Sequence, residues 1–132
     1  EIYNHGKMVR DFTYIDDIVQ GIFLIINKVA LPDKEFDTSN PNVSSSWAPF
    51  RIFNIGNSNP VKLLDFVKSL EESLCLKADL NFLPMQKGDV AKTQSDSKLL
   101  EKYIDFKPRT HINDGIKNFV KWYKEYYEID YN

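Results

Sequence analysis

Apolar residues fall at helical spacing in three stretches of this 132-residue chain. The first runs from Asp17 to Lys28, with Asp16 or Asp17 as N-cap, and carries Ile18, Val19, Ile22, Phe23, Leu24, Ile25 and Ile26. That set is wider than one stripe, so the helix needs cover on most sides. The second, about Leu63 to Leu74, places Leu63, Phe66, Val67, Leu70 and Leu74 on one face. The third opens at Thr110. Its apolar stripe is Ile112, Ile116, Phe119, Val120, Tyr123 and Tyr127, with Lys117, Lys121 and Lys124 on other faces. A short helix from Ser97 to Tyr103, capped by Asp96, must end before Pro108.

Between the helices the pattern is extended. Residues 1–15 are rich in β-formers, with a turn at His5-Gly6. Arg51-Ile52-Phe53-Asn54-Ile55-Gly56-Asn57 reads as a buried strand, and Leu80-Asn81-Phe82-Leu83 as a second short one stopped by Pro84. The Pro-, Ser-, Asn- and Asp-rich residues 32–50 read as a surface loop. Strand followed by helix gives an α/β chain forming one domain over 1–132, with a small mixed sheet and flanking helices.

Composition narrows the function. A net charge of −2 lacks the basic footprint of a nucleic-acid binder. No apolar run approaches a membrane span. Two histidines and one cysteine give no zinc set. Cys75, near a helix end, reads as a small buried or half-buried hydrophobe. With no signal-like segment, the chain reads as cytoplasmic. It opens inside a strand on a residue other than Met, which suggests part of something longer.

Chemistry concentrates in two clusters. Gly6-Lys7-Met8-Val9-Arg10-Asp11-Phe12-Thr13-Tyr14-Ile15-Asp16-Asp17-Ile18 contains one of only three arginines. A guanidinium is permanently charged and forks onto phosphate oxygens. Taken alone, Arg10 reads first as a surface ion-pair partner for Asp11. Pro84-Met85-Gln86-Lys87-Gly88-Asp89-Val90 carries a carboxylate on a Gly-Asp turn. A carboxylate suits a diol because it accepts two hydrogen bonds and donates none.

These segments resemble the G-x-x-x-R-D-F-x-Y-I-D-D-I and G-D-V motifs of extended short-chain dehydrogenases that act on nucleotide-diphospho sugars. Phe53-Asn54-Ile55-Gly56-Asn57-Ser58-Asn59-Pro60-Val61 and Phe106-Lys107-Pro108-Arg109-Thr110, then Gly115-Ile116, Phe119-Val120 and Trp122-Tyr123, extend the resemblance over nearly the whole chain. Within that family it is most similar to UDP-glucuronate 4-epimerases. The resemblance implies a C-terminal, UDP-sugar-binding portion without the main Rossmann lobe. The intact enzyme would use NAD to oxidise C4, let the keto sugar turn over, and reduce it again. Arg10 would meet the diphosphate and Asp89 the ribose. Gln86, where galactose-type relatives often carry Arg, points to a uronic acid. Tyr3 would lie near the uracil. A UDP-sugar decarboxylase or dehydratase of the same fold, or a non-catalytic interaction domain, are the alternatives.

No catalytic or NAD-binding residue is expected in the chain itself. None of its five glycines forms a dinucleotide cradle. Two strings match the Y-x-x-x-K of the family, Tyr3 to Lys7 and Tyr103 to Lys107. One crosses a glycine turn and the other the end of a helix, so neither keeps its pair on one helical face. The intact enzyme is expected to be a homodimer. With the lobe that would cover helix 17–28 absent, the chain alone is expected to self-associate.

Overall fold

The structure, a computed structural model, describes residues 1–129. Met8 to Asp11 is the axis about which the chain is arranged. Strand β1 (Val9–Arg10) pairs antiparallel with β2 (Val61–Lys62), and Val9 also bridges in parallel to Lys92. Val9 N donates to the Ala91 carbonyl at 2.9 Å, and Thr93 N donates back to Val9 at 3.1 Å. Upstream, Ile2 bridges in parallel to Phe82. The sheet is therefore small and mixed, as the sequence implies.

Four α-helices follow the sequence pattern closely. They are α1 (Ile15–Ile26), α2 (Leu63–Leu74), α3 (Lys98–Ile104) and α4 (Ile112–Tyr126). Helix α2 has the predicted limits, and its five predicted apolar residues are all half-buried. It packs mainly on α4, where Ile116 and Val120 are buried. Phe12 stacks on Phe66 with ring centres 4.3 Å apart. Leu100 of α3 and Pro108 just beyond it are fully buried.

The caps depart from expectation. Neither Asp16 nor Asp17 caps α1: Tyr14 is the N-cap, and both acids lie in the first turn, where they complement the helix dipole. Asp17 instead accepts hydrogen bonds from the Arg109 and Thr110 amides, tying the start of α1 to the approach to α4. Helix α1 ends at Ile26, because Lys28 turns to the Tyr103 carbonyl and sits over the Tyr103 ring. Thr110 does not open α4; His111 caps it, accepting from the Asn113 amide through Nδ1. Asp96 does accept from the Lys98 amide, although Ser97 holds the cap position.

Three extended segments and one cysteine also differ. Residues 1–15 have the expected turn at His5-Gly6, a 3-10 turn over Tyr3–Gly6 with positive φ at Asn4, His5 and Gly6, but strand only at Val9–Arg10. Residues 51–57 form no regular strand. Arg51 bridges Ser45, but among the described residues no ladder continues beyond it, and Ile52 is half-exposed. Of 80–83, Phe82 alone makes a bridge. Cys75 is exposed rather than buried, because it is the left-handed C-cap of α2 (φ 56°) and turns off the packed face.

One carboxylate joins these irregular pieces. Asp11 Oδ2 accepts from the Ser58 amide at 3.0 Å and the Ser95 amide at 2.8 Å, and Oδ1 accepts from Asn59 at 3.3 Å. Gly56 lies against the same junction, where a Cβ would meet Ser95 Cβ at 2.5 Å. Asp11→Ala should therefore destabilise the fold by about 2–4 kcal/mol, since charge-assisted bonds are lost and amides are left unpaired. Gly56→Ala should cost about 1–3 kcal/mol through overpacking. Urea denaturation checks both; a midpoint unchanged in Asp11→Ala would refute the clamp.

Candidate functional site

The two residues expected at the diphosphate and at the ribose meet. Arg10 Nη2 lies 2.8 Å from Asp89 Oδ1, although 79 residues separate them in sequence. Backbone pairing makes this possible. The Val9–Ala91 and Val9–Thr93 bonds bring the 89–93 segment alongside β1. Asp89 itself follows a tight turn in which its amide donates to the Gln86 carbonyl at 3.3 Å. Gly88 takes the positive φ of 84° that such a turn needs.

Arg10 is held from several sides. Nη1 donates to the Val9 carbonyl at 3.1 Å, and Nη2 also contacts the Met8 sulfur at 3.7 Å. Met8 is buried, so the guanidinium rests on a fixed thioether. The side chains of Arg10 and Asp89 are 23% and 33% exposed, so solvent and a ligand can reach both. Asp11, the alternative partner from sequence, is committed to the Ser58, Asn59 and Ser95 amides instead.

Tyr3 and Gln86 belong to the same neighbourhood. The Tyr3 hydroxyl donates to Glu1 at 2.6 Å. That hydrogen bond raises the Tyr3 pKa, with burial and the Glu1 charge adding to it, while a contact from the Gln86 side chain pulls the other way. Gln86 is tied to Asp89 through its carbonyl, which accepts the Asp89 amide. The structure pairs Arg10 with Asp89 directly, and the neighbouring chain brings Ile2 to Phe82 and the His5 amide to the Leu83 carbonyl, on the approach to Gln86.

Neither Y-x-x-x-K string forms a pair. Tyr3 and Lys7 are separated by the positive-φ turn. The Tyr103 hydroxyl donates to the Lys28 and Val29 carbonyls, clasping the end of α1. The glycines are dispersed: Gly21 and Gly115 lie inside helices, Gly56 is packed against Ser95, and Gly6 and Gly88 sit in separate turns.

Sequence reasoning missed Asp11 as the residue that builds the floor of this region. The available signal was its place one residue after Arg10 in a segment that must meet the Gly56-Asn57-Ser58 turn. A separate apolar groove of about 280 Å³ lies between the start of α1, α2 and α4, lined among others by Phe12, Ile15, Phe66 and Phe119. None of the four site residues lines it, and its imidazole, His111, caps α4. Among the described residues no helix is long and apolar enough to cross a membrane, and no metal-ligand cluster occurs.

No protein-family model matches the chain. Among curated proteins it is 47% identical over 128 residues to Protein CapI of Staphylococcus aureus, covering 97% of this chain and 38% of that protein. It is 42% identical to a probable UDP-glucuronate 4-epimerase of Rhizobium meliloti, covering 96% of this chain and 38% of the relative. A solved UDP-glucuronic acid 4-epimerase from Bacillus cereus, in complex with UDP-glucuronic acid and NAD, superposes with a TM-score of 0.71 at 25% identity. That match covers 96% of this chain and 35% of the epimerase. The chain thus spans little more than a third of the length of these relatives. In sequence and in fold it matches the C-terminal portion of UDP-glucuronate 4-epimerases, within the extended short-chain dehydrogenases.

Proposed function

We propose that this chain is the substrate-gripping part of an NAD-dependent UDP-sugar 4-epimerase acting on UDP-glucuronate in the cytoplasm. The observation that carries the reading is the convergence of Arg10 and Asp89 at 2.8 Å, with the Gln86 carbonyl accepting the Asp89 amide. Arg10 supplies positive charge for the diphosphate, and Asp89 an acceptor for the ribose diol. Tyr3 offers a ring to the uracil, and Gln86 a neutral amide where a second charge would otherwise sit. Contacts so far from the reacting carbon contribute by positioning it. The relatives named for UDP-glucuronate support the uronic acid.

The chain's own residues do not fit NAD, and no step of the reaction is assigned to them. The purified 132-residue chain should therefore neither bind NAD nor turn over UDP-glucuronate. Turnover by it would overturn this division of labour. In the full-length protein carrying this chain, Arg10→Ala should weaken UDP binding by about 2–4 kcal/mol, and Arg10→Lys should recover only part. Asp89→Ala should cost about 1–3 kcal/mol. Titration calorimetry showing unchanged UDP affinity in Arg10→Ala would remove the phosphate assignment.

Helix α1 bears on how the chain behaves by itself. Ile15, Val19, Ile22, Phe23 and Ile26 form a stripe along it, and all are exposed, Ile26 by 72%. Nearly two-thirds of each relative's length lies outside this chain, and the stripe is the surface that such remaining sequence would cover. Presented alone, the chain should hide the stripe against a second copy, since each buried Å² contributes about 25 cal/mol. Light scattering should show a concentration-dependent dimer or larger species, reduced by Ile22→Asp. A monomer at high concentration would overturn this.

A further inference from the structure

The Arg10–Asp89 contact presents a difficulty for any phosphate ligand. A guanidinium already paired with a carboxylate attracts an anion less than a free one does. A phosphate brought to Arg10 also approaches the Asp89 charge, and like charges in one site penalise each other. A site built only to hold phosphate would not place a carboxylate there.

The individual atoms suggest what the carboxylate does. Arg10 uses at most three of its five N–H groups, on Val9, Met8 and Asp89, leaving at least two for a ligand. Asp89 is also divided. Oδ1 accepts both Arg10 Nη2 and the Val90 amide, the latter at 2.7 Å. Oδ2 takes no hydrogen bond among the described residues. One oxygen therefore faces the cation, and the other stays available to donors from a ligand. A vicinal diol provides two such donors, whereas a bare phosphate provides none when fully ionised. A diol donating to Asp89 disperses its negative charge and so relieves the penalty felt by a phosphate on Arg10.

We propose that Asp89 makes Arg10 selective, by penalising inorganic phosphates and lifting the penalty only for a diphosphate that carries a ribose diol. The proposal rests on the nucleotide reading above and adds a discrimination to it. Specificity here comes from a built-in cost to the wrong ligand as well as from contacts to the right one. Asp89 and Arg10 then act as a unit, and their effects on binding do not add.

The test is a cycle of Arg10→Ala, Asp89→Asn and the double variant in the full-length protein carrying this chain. UDP and pyrophosphate are titrated separately at matched ionic strength. The wild type should take UDP and strongly disfavour pyrophosphate. Asp89→Asn should tighten pyrophosphate by about twofold to fivefold, within the range for release of a solvent-accessible ion pair. The same variant should weaken UDP by about tenfold, as the charged acceptor for the diol is lost. In the Arg10→Ala background, the gain for pyrophosphate should shrink to what removal of the Asp89 charge gives without Arg10 to release. Asp89→Ala, which offers no amide donors of its own, should also tighten pyrophosphate. This control separates release of Arg10 from a new contact made by Asn. If Asp89→Asn and Asp89→Ala weaken both ligands alike, or leave pyrophosphate unchanged, Asp89 only holds Arg10 or its turn and the selectivity is refuted. A wild type that binds no UDP refutes the nucleotide reading and the selectivity together. UDP binding with an unaltered ligand ratio in the variants refutes the selectivity alone.

Discussion

Much of the structure depends on the side-chain carboxylate of Asp11. The segments it joins, 58–59 and 95, have few backbone partners of their own, and each donates an amide to it. A regular sheet would satisfy such amides by a ladder. Here a single charged side chain does so, at the end of a two-residue strand. Because Asp11 follows Arg10 directly, the residue that sets the packing also fixes where the neighbouring guanidinium emerges.

The helices were legible in the sequence because their signal is local and periodic. Helix α2 repeats its apolar face over three turns, and nothing in its surroundings contradicts that face. Strand character was less legible because it depends on a neighbour. Ile52, Phe53 and Ile55 have the composition of a buried strand, yet among the described residues nothing pairs with them beyond the Arg51 bridge. The N-caps failed for a related reason. Asp17 is an excellent cap by type, but its carboxylate is drawn to two amides 92 and 93 residues away. Cys75 was misjudged because a left-handed cap residue turns its side chain off the helix face, which periodicity alone does not reveal.

The candidate site was legible as a set of residues and not as an arrangement. Arg10 and Asp89 were each singled out for chemistry that suits a different part of a nucleotide. Their direct contact had no counterpart in the sequence, where Asp11 was the obvious partner. That contact arises from the parallel run of 89–93 beside β1, a register that no local pattern encodes. Met8 is a similar case: its burial beneath the guanidinium follows from the sheet, not from its own type.

The pairing of residues near position 10 with residues near position 90 has a consequence for how the molecule comes into being. Bringing Ile2 to Phe82 and Val9 to Lys92 closes a loop of about eighty residues, whose entropy must be lost before any contact there contributes. Helices α1 and α2 lie inside that loop and can form from local contacts first. The Arg10–Asp89 pair is thus a late product of folding. During synthesis, a nascent chain that has not yet emerged past residue 93 has its arginine but lacks the strand neighbour and carboxylate that hold it, and so has no organised grip on a ligand.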